Sequence, residues 1–234
     1  MNKEVNAAKD RSPIRILFIG NSATYVHELP QRLAAEAGRA GYAVEVNSVT
    51  KGGYELLQHA DTESEHGKRV YREIESGYDI VFLQDNGNCI SSAEKRSDSA
   101  SACKMLDEAI RRSGAETCIY VRPPYGKEAF GRSAFDQCVE FDKHFCNIAE
   151  QTGGRLAFVN RAFALAIKHG VIDLWGPDNA HTSECGGYLA VCVFFATLFG
   201  TLPSLFDGDV IPREKAEVLQ EIADRVVLKK ELPW

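Results

Sequence analysis

Apolar positions along this chain follow two alternating patterns. Short runs rich in Ile, Val and Phe occur at 14–20 (IRILFIG), 43–49 (AVEVNSV), 78–84 (YDIVFLQ), 116–122 (ETCIYVR) and 155–160 (RLAFVN). Such runs suit a pleated, buried surface and predict five strands. Between them, apolar residues three to four apart predict helices near 30–40, 54–76, 97–113, 128–151 and 161–169. Two more follow near 183–199 and 213–228. Gly114 and the pair Gly153-Gly154 stand where helix C-terminal caps belong. The run IVFL (80–83) is apolar throughout, as a strand covered on both faces should be.

Strand–helix alternation of this kind predicts a parallel sheet with helices on both faces. No repeat, linker or low-complexity segment interrupts it, so residues 14–234 read as one α/β domain behind a loose polar tail at 1–13. The stretch RPPYGKEAFGRSAF (122–135) reads as a long surface loop; Arg122, Tyr125 and Arg132 in it are expected to be solvated, the alternative being that they line the pocket.

Composition narrows the partners. Apolar residues make up 44% and charged residues 26%, which is globular usage and excludes a disordered chain. The net charge of -6 leaves no basic footprint for nucleic acid. The longest apolar stretch, YLAVCVFFATLFG (188–200), is too short to span a bilayer and reads as a buried core helix, so no membrane partner is expected. The N-terminal residues contain no apolar signal-like run. Seven cysteines, an odd number with no C-x-x-C pair, fit neither a disulfide framework nor a zinc ribbon. Scattered thiols of this kind point to the reducing cytoplasm.

The candidate chemistry starts where the first strand ends, in RILFIGNSATY (15–25). Ligands of doubly wound sheets bind outside the carboxyl ends of the strands, and Ser22 sits at such an end. Three readings are open for it: a nucleophile, part of a phosphate-binding turn, or a residue capping a helix. The phosphate reading lacks its glycines, and G-x-S-x-G is absent because position 24 is Thr.

A serine nucleophile needs a base. His59, His66, His144 and His169 lie in polar helical contexts or at helix ends, where a solvated or capping histidine is expected. His27 is near Ser22 in sequence but has no evident orienting partner. His181 differs, because Asp178 precedes it by three residues in GPDNAHTSECGGYLA (176–190). A turn of that length can set a carboxylate against one imidazole nitrogen and leave the other free to take a serine proton. An aspartate turn that caps the next helix is an equal reading of D-x-x-H alone. A metal site built from Asp178, His181 and Cys185 is a third, with fewer ligands than hydrolytic metal sites usually show.

Taken together, G-N-S after the first strand and D-x-x-H before the closing helix resemble the GDSL-type esterases, or SGNH hydrolases, over about residues 14–200. Two inner blocks fit as well: TKGGYELLQH (50–59) with Gly52 and Gly53, and LQDNGN (83–88) with Asn86. The resemblance implies a three-layer α/β/α fold with a flavodoxin-like, five-stranded parallel sheet. It implies Ser22 as nucleophile, His181 as base and Asp178 as its orienter. It also implies an oxyanion hole from the backbone N–H groups of Ser22 and Gly53 and the side-chain amide of Asn86. Such donors suit a tetrahedral intermediate, because backbone and amide N–H groups stabilise its charge without bringing one of their own.

The chain departs from the family pattern in three places. Asn21 stands where aspartate is commoner, Gln84 replaces a glycine, and Gly87 replaces the aspartate after the asparagine. Asn88 offers the same amide two positions on, and Gly52 is the neighbouring alternative to Gly53. The expected activity is hydrolysis of a small ester, such as an acetyl ester of a carbohydrate, with no cofactor and no metal. The alternative is a non-catalytic module of the same fold that binds a small ligand. Oligomeric state is not readable from the sequence.

Overall fold

The computed structural model describes residues 12–171, 173–202 and 211–234, so nearly all of the expected N-terminal tail lies outside the described residues. Five strands form one sheet: β1 (Ile14–Gly20), β2 (Val44–Thr50), β3 (Ile80–Leu83), β4 (Glu116–Tyr120) and β5 (Arg155–Ala157). Their spatial order is β2-β1-β3-β4-β5 and every pair is parallel, which is the flavodoxin-like order. The sequence placed all five strands, and the observed ones are equal or shorter at their C-terminal ends, apart from β2, which runs one residue further, to Thr50.

Strand alternation divides the core. Ile16 and Phe18 of β1, Phe82 of β3 and Tyr120 of β4 point to one face. That face is covered by α2 (Leu29–Arg39), α7 (Val159–Lys168), α8 (Glu184–Phe199) and α9 (Arg213–Val227). Leu17, Ile19, Val81, Leu83 and Ile119 point to the other. There they meet α3 (Leu56–His59), α4 (Glu65–Ile74), α5 (Ala93–Arg112) and α6 (Ala134–Thr152). This is the expected three-layer α/β/α architecture. Phe18 and Phe82 are register partners on adjacent strands, and their rings stack at 4.5 Å under the edge of Phe194. Cys185 through Ala196 of α8 are buried without interruption, the core helix read from the apolar run. Among the described residues, no helix is long and apolar enough to cross a membrane.

Two expectations are corrected. The helix expected over 54–76 is two helices, α3 and α4. The break follows from local chemistry in ADTES: Asp61 accepts the N–H of Glu63 (3.0 Å), and the Ser64 hydroxyl accepts that of Gly67 (2.9 Å) as the cap of α4. A side chain at Gly67 would strike the Asp61 carbonyl. The second correction concerns 122–135, whose first residues are not solvated: Arg122, Pro123 and Pro124 are buried. Two consecutive prolines carry no N–H, so their burial leaves only carbonyls to satisfy, and Trp175 Nε1 donates to that of Pro124 (2.9 Å).

Candidate active site

The strand order reverses between β1 and β3, and the segments after these two strands turn away to opposite faces. The crevice between them is where a doubly wound sheet binds ligands. Ser22 begins α1 (Ser22–Tyr25), a single turn directly after β1. The cap of that turn is Asn21, not Ser22. The Asn21 side chain accepts the Ala23 N–H at 3.0 Å, and its Nδ2 donates to the Tyr54 carbonyl at 2.8 Å. With the cap supplied by its neighbour, the Ser22 hydroxyl is left to another partner.

That partner is His181, 159 positions later. Ser22 Oγ lies 2.9 Å from His181 Nε2, and His181 Nδ1 lies 2.6 Å from Asp178 Oδ2. A carboxylate only accepts, so Nδ1 carries the proton, and Nε2 presents its lone pair to the serine hydroxyl. The other Asp178 oxygen accepts the backbone N–H groups of Ala180 (2.9 Å) and His181 (3.0 Å). Those two N–H groups and the imidazole hold the Asp178 carboxyl well below the usual carboxylate range, so it stays ionised in acid. An arrangement of this kind can move a proton off a hydroxyl and return it to a leaving group.

The loop bearing Asp178 and His181 is braced from several sides. Gly176 N–H donates to the His181 carbonyl (2.9 Å), and Asn179 takes a left-handed conformation, φ +54°, inside the turn. Ser183 caps α8, and Gly186 lets the Leu174 carbonyl come so close that a Cβ would lie 2.2 Å from it. His27 ties this loop to the segment after Ser22: Nε2 lies 2.7 Å from the Thr182 carbonyl and Nδ1 2.8 Å from Glu184. The sequence offered no sign of this role, because both partners lie more than 150 positions away.

Two of the candidate oxyanion residues, Asn86 and Gly53, also meet. Asn86 Nδ2 donates to the Gly53 carbonyl (3.0 Å), and its Oδ1 accepts the Asn88 N–H (3.1 Å), which orients the amide. Asp85, fully buried, accepts the N–H groups of Leu56 (2.8 Å) and Asn86 (2.7 Å) and so fixes the start of this segment. Burial pushes its carboxyl above the usual range. Gly53 has φ +74°, a conformation that favours glycine. Asn88 is exposed and its side chain stands outside this network. Gly52 faces the Tyr25 hydroxyl, 2.9 Å from where a Cβ would lie.

Gln84, the residue in place of a glycine, has a structural explanation. Its Oε1 accepts the Asn21 N–H and the Thr24 hydroxyl, both at 2.9 Å, and so ties the ends of β1 and β3 together. It fills the space over Gly20, where a Cβ would lie 2.6 Å from that oxygen. The metal arrangement is not assembled: the Cys185 thiol sits 3.6 Å from Asp173, and no three metal-ligating side chains cluster among the described residues. Two histidines expected in solvated or capping positions are buried. His59 is fully buried and 2.9 Å from His66, with its pKa pushed down to about 3 by burial and by the neighbouring imidazole. His144 is buried against the Ser99 hydroxyl, its pKa pushed down to about 4 by burial.

No protein-family model and no curated protein matches this chain by sequence. Solved structures do match. A candidate SGNH hydrolase from Slackia heliotrinireducens is 25% identical, over 80% of this chain and 100% of its own, with a TM-score of 0.67. A DUF4886 family protein from Bacteroides uniformis is 15% identical, over 94% of this chain and 96% of its own, at 0.70. Axe2, an acetylxylan esterase from Geobacillus stearothermophilus, is 16% identical, over 80% and 95%, at 0.62. The sheet order, the strand-end crevice and these structural relatives agree, and the chain belongs to the SGNH/GDSL hydrolase superfamily.

Proposed function

We propose that this protein is a serine-dependent carboxylic ester hydrolase acting on a small ester. Ser22 Oγ attacks the carbonyl carbon as His181 Nε2 takes its proton. The tetrahedral oxyanion is held by the N–H groups of Ser22 and Gly53 and by Asn86 Nδ2. Its collapse expels the alcohol, which receives the proton from His181. Water then repeats the sequence on the acyl-enzyme, releasing the acid and restoring the Ser22 hydroxyl. The observation that carries this reading is the unbroken chain from Ser22 through His181 to Asp178, with contacts of 2.9 and 2.6 Å at the switch point of the sheet. An acetyl group on a carbohydrate is the proposed ester, supported by the acetylxylan esterase among the structural relatives. The seven cysteines are all free thiols, which supports a reducing compartment.

Two experiments test it. A fluorophosphonate should label the native chain at Ser22. An adduct on Ser133, whose hydroxyl is 2.6 Å from Asp136 at the cap of α6, would move the site, and no adduct at all would favour a ligand-binding module. Asn86→Ala should lower kcat by about 10²–10³ at nearly constant KM, the loss expected of an oxyanion donor. Asn88→Ala, changing an exposed side chain, should leave kcat unaltered. The reverse pattern would assign the donor to Asn88.

A further inference from the structure

Arg122 follows β4 by two residues and is 4% exposed. A guanidinium keeps its charge in any protein environment, and burying it without a counter-charge is costly. Yet no carboxylate pairs with Arg122 among the described residues, and its Nε has no hydrogen-bond partner. Its neighbours are rings: Tyr125 at 4.5 Å and Phe141 at 5.8 Å from the guanidinium carbon. Rings cover the faces of a guanidinium, whereas its N–H donors lie in its plane. Stacking therefore leaves unanswered the donors that a planar pair of oxygens would engage.

Those donors sit beside the candidate oxyanion segment. A Cβ on Gly87 would lie 2.1 Å from Arg122 Nη1 and 2.6 Å from the Tyr125 hydroxyl, so both polar groups converge on the residue after Asn86. Gly87 is the position where the family pattern has an aspartate, and this chain offers no side chain there. The stretch that carries Tyr125 is in turn fastened to the loop of Asp178 and His181. Gly126 N–H donates to the Asn179 carbonyl (2.9 Å), and Trp175 holds Pro124. Arg122 and Tyr125 thus stand between the segment of Asn86 and the loop of His181.

We infer that Arg122, with the Tyr125 hydroxyl, binds a carboxylate carried by the ester substrate, so that this enzyme acts on esters of acids or alcohols that bear a free carboxylate. The inference rests on the hydrolase reading for its turnover but not for its binding. One guanidinium beside one phenol matches a monoanion, and the planar fork of arginine matches a carboxylate. The net charge of -6 disfavours anions in general, so a preference for them would have to be local.

The test compares matched esters on the native chain. For a carboxylate in the acyl part, mono-4-nitrophenyl succinate is set against 4-nitrophenyl acetate. For one in the alcohol part, O-acetyllactate is set against O-acetyllactamide. One charged member should exceed its neutral partner in kcat/KM, and Arg122→Gln should reduce that ratio by roughly 10- to 100-fold, chiefly through KM. Tyr125→Phe should reduce it by a smaller factor. No preference in the native chain, or a preference that survives Arg122→Gln, overturns the inference. If Arg122→Gln does not fold, Arg122→Lys and Tyr125→Phe decide it: a reduced ratio supports the site, and an unchanged ratio in both overturns it. If no ester is turned over, calorimetric titration of succinate and lactate separates the two readings. Saturable binding to the native chain and to Ser22→Ala, lost in Tyr125→Phe or Arg122→Gln, supports the carboxylate site while the hydrolase reading fails. The absence of binding overturns the site.

Discussion

Ser22→Ala is expected to lower kcat for a short-chain ester by about 10⁴- to 10⁶-fold, leaving the melting temperature essentially where it was. The two halves of this expectation come from different contacts. Catalysis is lost because Ser22 Oγ is the hydroxyl that His181 Nε2 meets, at 2.9 Å, and alanine offers nothing to attack a carbonyl. Stability is kept because the capping of α1 belongs to Asn21, and the strand ends are tied by Gln84. Alanine is also a better helix former than serine at the first position of that turn. Parallel measurement of ester hydrolysis and thermal unfolding checks both. A variant with native turnover would remove Ser22 from the chemistry. A variant that loses turnover together with its cooperative transition would make Ser22 structural.

His181→Ala and Asp178→Asn form the second large effect. In the native turn, Asp178 compels Nδ1 of His181 to carry the proton, so Nε2 faces Ser22 as a base. An asparagine in its place can turn an N–H toward Nδ1 and drive the proton to Nε2, where it meets the serine hydroxyl as a donor. A fall in kcat of about 10⁴ is expected from that change of tautomer, with the turn itself preserved because a side-chain oxygen can still accept from Ala180 and His181. The pH dependence has a definite sign. A general base has to be neutral to take the serine proton, so activity falls on the acid side. Asp178, held well below the ordinary carboxylate range, remains ionised there and does not produce that limb. His181→Ala should remove the acid limb together with most of the rate. A pH–rate profile that keeps its acid limb in His181→Ala would assign the base elsewhere, and inhibition by EDTA reversed by zinc would favour a metal mechanism.

Local chemistry carried much of this protein in its sequence. The cores of β1 and β3 were legible because a strand covered on both faces is apolar along its length, and ILFIG (16–20) and IVFL (80–83) are. The α/β class followed from the alternation of strands with helices, and the resemblance pointed to Ser22, Asp178 and His181, of which His181 lies within hydrogen-bond distance of the other two in the fold. What the tertiary structure alone decided are relations between distant residues whose own neighbours reveal nothing. Asn21 takes the capping role that frees Ser22, Gln84 replaces a glycine because β1 and β3 end side by side, and His27 reaches Thr182 across 155 positions. His59 and Arg122 were expected in solvent. Folding buries one against His66 and the other against Tyr125 and Phe141, because burial is settled by what packs on top of a segment, not by the segment's own composition.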